Sequence, residues 1–107
     1  MRYNDFKCWL ESSTNLQPRT IADALSRVKR IEHSLRLDLD LEYVKDGGNY
    51  VLSILEYAAV DAMVGKKPPL GLEFKPGANI RNGMASLKAA AKQYFNFCHD
   101  SNSQKNH

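Results

Sequence analysis

Long apolar runs are absent from this sequence of 107 residues, and cysteine is scarce. A helix needs about 20 consecutive apolar residues to span a bilayer, and no stretch approaches that length. The first residues, MRYNDFKCWLESS, contain no continuous apolar run either, so we expect no secretory signal. These absences predict a cytoplasmic protein. Its two cysteines, Cys8 and Cys98, are then expected to be buried reduced thiols, with a disulfide between them as the alternative.

Motifs of known catalytic and metal-binding sites are missing as well. The three histidines have no partners at the spacing of a recognised metal-ligand set. The acidic stretch DLDLE at residues 38–42 lacks the glycine and the distal glutamate of a calcium-binding loop, so we interpret it as a solvated segment. Neither a phosphate-binding glycine loop nor a nucleophile motif occurs. We therefore predict a protein that is not an enzyme and that holds no metal and no cofactor.

Helical periodicity dominates the rest of the chain, whose length predicts one domain. Four helices are predicted, at about residues 4–12, 18–35 and 50–64 and from just after Asn79 to about His99. The alternating leucines of residues 36–49 predict an extended linker that buries leucines in the core. The predicted fold class is all-α: one compact bundle of four main helices within residues 1–100, followed by a disordered polar tail at 101–107.

The apolar stripes of these helices define the expected core. On the second helix the stripe is Ile21, Leu25, Val28 and Leu35, and on the fourth it is Ile80, Met84, Leu87, Ala91, Tyr94 and Cys98. The third helix has apolar residues around a broad surface, which indicates burial on more than one side. Phe97 points away from the stripe of the fourth helix, so it either packs on another element or marks a contact patch.

The net charge of +3 is unevenly distributed along the chain. Residues 19–36 carry five basic and two acidic side chains, and residues 79–99 carry three basic and no acidic ones. Residues 37–64 carry six acidic side chains and one lysine. The second and fourth helices are therefore basic, and the segment between them is acidic.

Helical geometry gathers these basic residues on two faces. At about 100° per residue, Arg81, Lys88, Lys92 and His99 point within about 20° of one direction, at about 90° from the core stripe. Arg19, Ser26 and Arg30 align on the second helix, almost opposite its stripe. If the two helices lie side by side, their basic faces would form one surface that attracts phosphate by releasing counterions. The alternative is that these charges are ordinary solvated helix surface.

Three segments carry a resemblance to a known family. The stretches YNDFKCWL, LQPRTIADALSRVKRIE and NIRNGMASLKAAAKQYFNFC are similar to the N-terminal core-binding (SAM-like) domain of tyrosine recombinases, the phage integrases. That domain opens with an aromatic F..WL helix, continues with a PRTI helix and closes with a helix that ends in an aromatic-rich stretch. The resemblance spans about residues 3–98. It implies a helical bundle that forms half of a clamp around duplex DNA, in proteins often encoded by mobile genetic elements.

The resemblance also implies which residues would face DNA. The second and fourth helices are the ones that meet the major groove and its phosphates in that family. The positions that carry over are Arg19, Thr20, Arg27 and Arg30 on the second helix, and Arg81, Lys88 and Lys92 on the fourth. They largely coincide with the two basic faces.

The chain departs from the family in three respects. Gln17 stands where the family tends to have a serine cap, and Ala24 stands near a position where an aromatic is common. The catalytic domain is missing, so none of the five tyrosines is expected to act as a nucleophile and the chain is not itself a recombinase. We therefore predict a non-enzymatic DNA-binding domain whose partner is duplex DNA and which does not bind membranes. The alternative is a helical protein-interaction or homo-oligomerisation module without nucleic-acid binding.

Overall fold

The protein is an all-α helical bundle, as predicted. The computed structural model describes residues 1–69 and 71–105. Within these ranges there is no β-strand, and the helices are α1 (Tyr3–Ser13), α2 (Pro18–Leu35), α3 (Leu39–Asp46), α4 (Asn49–Ile54), α5 (Ala59–Met63) and α6 (Ile80–Lys105). None of the described helices combines the length and the apolarity that crossing a bilayer would require.

The central element of the bundle is α6, which packs against each of the other five helices. Its most extensive neighbour is α2, and α1 packs against both. The core stripes predicted on the two long helices are largely confirmed: Ile21, Leu25 and Val28 are buried on α2, and Met84, Leu87, Ala91, Tyr94 and Cys98 are buried on α6. Leu35 and Ile80, near the helix ends, are only half-buried.

Local sequence signals set the ends of the two long helices. α2 begins at Pro18, whose ring fixes a helical φ and whose missing N–H is not needed in the first turn. α6 begins after Asn79, whose Oδ1 accepts a hydrogen bond from the backbone N–H of Asn82 at 3.1 Å. The helix continues past the end predicted near His99. The tail expected at 101–107 is thus helical as far as Lys105, and residues 106–107 lie outside the described part of the chain.

The extended linker predicted at residues 36–49 was wrong, because this segment contains α3. Asp38 caps the helix: its Oδ1 accepts hydrogen bonds from the backbone N–H groups of Asp40 at 2.8 Å and Leu41 at 3.3 Å. Gly47 ends it with a left-handed φ of 72°. Of the alternating leucines, Leu39 is fully buried whereas Leu41 is exposed. The alternation therefore spans a helix start and does not indicate a strand.

The single third helix predicted at residues 50–64 is two short helices, α4 and α5. The break follows Leu55, where Tyr57 turns into the core and its hydroxyl donates to the carbonyl of Lys66. A new helix then starts, with the carboxylate of Asp61 accepting from the backbone N–H of Ala58 at 2.8 Å. The prediction that this segment is buried on more than one side was also wrong for its second half, because α5 contains no buried residue.

Two single residues distinguish the alternatives left open by the sequence. Cys8 lies on the outer side of α1 and is exposed, so the expectation of two buried thiols was wrong for it; Cys98 is buried, and both thiols are free. Cys8 is two positions from both Phe6 and Leu10, the buried residues of α1, which turns it to solvent. Phe97 packs on another element: it is buried against Phe6, with ring centroids 5.6 Å apart.

Candidate nucleic-acid interface

The outer face of α2 presents basic side chains to solvent. Arg19, Thr20 and Arg30 are exposed, and Arg27 is half-buried. The ion pairs found among the described residues involve other cations, so the three arginines have no carboxylate partner within that part of the chain. Their charge is therefore available to a ligand.

Contacts with uncharged groups hold Arg30 in place. Its Nη2 donates to the backbone carbonyl of Glu73, and its guanidinium lies 4.8 Å from the centre of the Phe74 ring. Phe74 in turn lies against α6 at Gly83, where an added Cβ would come within 2.4 Å of the ring. Arg30 thus links α2 to the loop before α6 without losing its charge. Because its side chain is already held in place, it would lose little conformational entropy when a ligand binds.

Neighbouring cations extend this basic face beyond the predicted residues. Lys29 lies 4.9 Å from the centre of the Tyr3 ring on α1. Lys29, Arg30 and His33 line one depression together with Glu32. His33 and Arg36 line the next along α2, where the acidic residues Glu32, Asp38 and Glu42 also lie, so the basic face ends there. Arg36 ends the helix in a left-handed conformation with φ 53°, which a residue other than glycine adopts at some cost. Lys29 and Arg36 belong to the basic segment 19–36, but they do not share the helical direction of Arg19 and Arg30, so the sequence did not predict them as part of this face.

The basic stripe predicted on α6 has an acidic neighbour from another element. Arg81 and Lys92 are exposed, whereas Lys88 is half-buried and forms an ion pair with Glu56, which lies between α4 and α5. The hydrogen bond and charge of Lys88, and then the charge of Lys92, lower the pKa of Glu56. Part of the positive charge of this stripe is thus compensated within the fold.

The two basic faces point to different sides of α6. Although α2 and α6 pack side by side, Arg30 meets Phe74 on the side of α6 where Gly83 lies. Lys88 is five positions beyond Gly83, which places it about 140° away around the helix. The structure therefore does not bring Arg30 and Lys88 together, and among the described residues α2 carries more cations without an ion pair than the α6 stripe does.

A polar cluster that the sequence prediction overlooked joins α3 to α6. Asp40 Oδ1 accepts hydrogen bonds from the Tyr94 hydroxyl at 2.7 Å and from Arg2 Nε at 3.2 Å. Burial acts to raise the pKa of Asp40, but the hydrogen bond from Tyr94 and the charge of Arg2 outweigh it, and the pKa is lowered. The cluster was not detectable from spacing, because its members come from three distant segments.

Cys98 lies at the edge of this cluster, 3.7 Å from Asp40 Oδ1. Burial, and then the negative charge of Asp40, raise the pKa of Cys98 to about 11. Burial also raises the pKa of Tyr94. Both groups stay protonated at neutral pH, which makes the thiol a poor nucleophile. The cluster thus has the properties of a structural link between helices.

Comparison of the chain with protein-family models, with curated proteins and with solved structures found no match.

Proposed function

We propose that this chain is a non-enzymatic DNA-binding domain that binds duplex DNA mainly through the phosphates. The observation that carries the proposal is the outer face of α2, where Arg19, Arg27 and Arg30 have no carboxylate partner among the described residues. Phosphate contacts of this kind supply affinity and position, and they discriminate little between bases.

The proposed fold relationship is to the core-binding, SAM-like domain of phage integrases. It is supported by the order of the resembling segments, which fall on α1, α2 and α6. On this proposal the chain provides the DNA-clamping half, and its origin is a mobile genetic element.

The proposed DNA contacts are weighted towards α2. Arg19, Thr20, Arg27 and Arg30 form its centre, with Lys29, His33 and Arg36 at its edge. Arg81 and Lys92 lie on the same side of α6 as Lys88 and would make secondary contacts apart from the α2 face, and Lys88 contributes less because Glu56 already neutralises it. Helices of this width fit the major groove of B-form DNA, which brings both flanking phosphate strands within reach of long side chains.

The proposal is tested by fluorescence anisotropy with a labelled duplex across a salt series. At low salt the dissociation constant is expected to be tens of micromolar or lower. The logarithm of the association constant should fall linearly with the logarithm of the salt concentration. The variant Arg19→Gln with Arg27→Gln is expected to weaken binding and to reduce that slope by about 2, since each phosphate contact contributes about 0.9.

A charge-matched control separates specific contacts from total charge. Lys7→Gln with Lys67→Gln removes the same two charges from exposed positions on α1 and in the loop after α5. This control is expected to retain most of the affinity. Absence of binding at low salt would overturn the proposal, as would equal losses in the two double variants.

A further inference from the structure

Phe74 is an uncharged residue that connects the basic face of α2 to the central helix. It is half-buried in the loop between α5 and α6. The Arg30 guanidinium lies 4.8 Å from the centre of its ring, and the ring also packs against α6 at Gly83. The same ring therefore contacts a cation of the proposed interface and the helix that holds the bundle together.

Gly83 is the residue of α6 that makes room for this ring. It is the fourth residue of the helix and has no positive φ, so its backbone conformation does not require glycine. Glycine is less favourable than alanine within a helix. A Cβ at this position would come within 2.4 Å of the ring. The glycine therefore lowers the helix propensity of α6, and its structural effect is to seat Phe74.

Three further contacts fix the loop segment that carries the ring. Gly71 packs closely on the carbonyl oxygen of Ser34 at the end of α2. Leu72 is buried in the core, and the backbone carbonyl of Glu73 accepts a hydrogen bond from Arg30 Nη2. Since the core and α2 both hold this segment, the position of the ring does not depend on Arg30 alone.

The ring attracts the Arg30 guanidinium without neutralising it, because a cation is drawn to the face of an aromatic ring and keeps its charge. Glu32, which lines the same depression as Arg30, instead accepts a hydrogen bond of 2.9 Å from the backbone N–H of Leu39. The hydrogen bond to the Glu73 carbonyl uses only part of the N–H groups of Arg30. The others remain available for a phosphate, which arginine binds through paired N–H groups.

Arg19 points in the same direction from α2 but lacks this support. Within the described part of the chain, neither a side-chain hydrogen bond nor an aromatic ring holds it. A long side chain that is free in solution loses rotamer freedom when it binds, whereas Arg30 is already ordered. We therefore expect Arg30 to contribute more to phosphate binding than Arg19.

We infer that Phe74 is a positioning residue of the DNA interface, which holds Arg30 in the conformation that contacts a phosphate. This inference rests on the proposed function and adds to it a residue that carries no charge. Through Phe74, the loop between α5 and α6 contributes to DNA affinity by way of α2.

The experiment is a double-variant cycle, measured by fluorescence anisotropy with the labelled duplex at low salt. Phe74→Met keeps a flexible apolar side chain against Gly83 but removes the ring. It is expected to weaken binding about 2- to 10-fold, the range that corresponds to ordering one long side chain. In a chain that already carries Arg30→Gln, the same change is expected to have no effect on binding. Phe74→Tyr keeps the ring and is expected to bind like the wild type.

Gly83→Ala provides an independent variant, in case Phe74→Met does not fold. Alanine favours the helix, so circular dichroism should show that the variant remains helical. The added Cβ displaces the ring, so DNA binding should weaken, and only in a chain that retains Arg30. The matched control is Gly77→Ala in the same loop, where an added Cβ has no neighbour within 4 Å. This control is expected to leave the affinity unchanged.

Two kinds of result would overturn the inference while leaving the proposed function in place. In the first, Phe74→Met weakens binding equally with and without Arg30, or Phe74→Tyr binds as weakly as Phe74→Met. In the second, Phe74→Met binds like the wild type, or Arg30→Gln weakens binding no more than Arg19→Gln does. A wild-type chain that does not bind the duplex would overturn both proposals.

Discussion

Tyr94 of α6 donates a hydrogen bond of 2.7 Å to Asp40 of α3, and the same hydroxyl accepts one of 2.9 Å from the backbone N–H of Arg2. One phenolic group therefore links the start of the chain, the short acidic helix and the central helix. This link fixes α3 on the bundle and so determines where its exposed apolar residues lie.

The change Tyr94→Phe should lower the free energy of unfolding by about 1–3 kcal/mol at pH 7, because Asp40 loses a hydrogen bond in a partly buried site. The loss should depend on pH. The pKa of Asp40 is lowered in the folded state, so its contribution is present above the ordinary pKa of about 3.9 and is lost as pH falls through the lowered value. Urea unfolding at pH 7 and near pH 3 measures this. A difference between wild type and variant that is as large at pH 3 as at pH 7 would contradict the assignment.

Gly71 anchors the loop before α6 on the end of α2. Its φ is 98°, and an added Cβ would lie 2.1 Å from the carbonyl oxygen of Ser34. Gly77, in the same loop, also has a positive φ but open space around it. We expect Gly77→Ala to lower the free energy of unfolding by about 1 kcal/mol through backbone strain alone, and Gly71→Ala to lower it by at least about 2 kcal/mol more. Thermal unfolding compares the pair, and equal losses would show that the contact with Ser34 is not formed.

Arg81 lies in the first turn of α6, a turn that contains no acidic residue. A positive charge near the N-terminus of a helix opposes the helix dipole. The variant Arg81→Glu should therefore raise the free energy of unfolding by about 0.3–1 kcal/mol. The same variant should weaken duplex binding, because it replaces a cation by an anion at the proposed interface. A variant that is more stable and binds DNA as well as the wild type would remove Arg81 from the interface.

Glu56 neutralises Lys88, so removing its charge should strengthen DNA binding. The variant Glu56→Gln is expected to bind the duplex more tightly and to steepen the salt dependence by about 0.9, the contribution of one phosphate contact. Glu11→Gln, an exposed position on α1, removes the same charge elsewhere and should leave the slope unchanged. Anisotropy titrations over a salt series measure both slopes. Equal effects of the two variants would mean that only the net charge matters.

The sequence predicts the long helices better than the short ones, for physical reasons. α2 follows from Pro18 and an apolar stripe sustained over about four turns, and the start of α6 follows from the Asn79 cap. Such signals are local. α3 was missed because Leu35, Leu37, Leu39 and Leu41 alternate by chance across a loop and a helix start. The cap at Asp38 was the signal that identifies the helix.

The break between α4 and α5 depends on tertiary structure. Tyr57 is buried and its hydroxyl bonds the carbonyl of Lys66, a contact that no helical period encodes. Contacts between distant segments also limit how well the candidate DNA interface can be predicted from the sequence. The α6 stripe is free of acids along its own helix, but Glu56, 32 residues before Lys88, approaches from another element. Periodicity places a side chain on a face of its own helix and does not show what faces it.

The most direct test of the central proposal is a titration of the isotope-labelled chain with a short DNA duplex at low salt. The changes in the amide chemical shifts are measured by NMR at each step. The account predicts shifts that saturate with added duplex and are concentrated in residues 18–36, with smaller ones in residues 71–82. Amides that do not shift, or shifts confined to α3, α4 and α5, would contradict the assignment of α2 as the DNA-binding face.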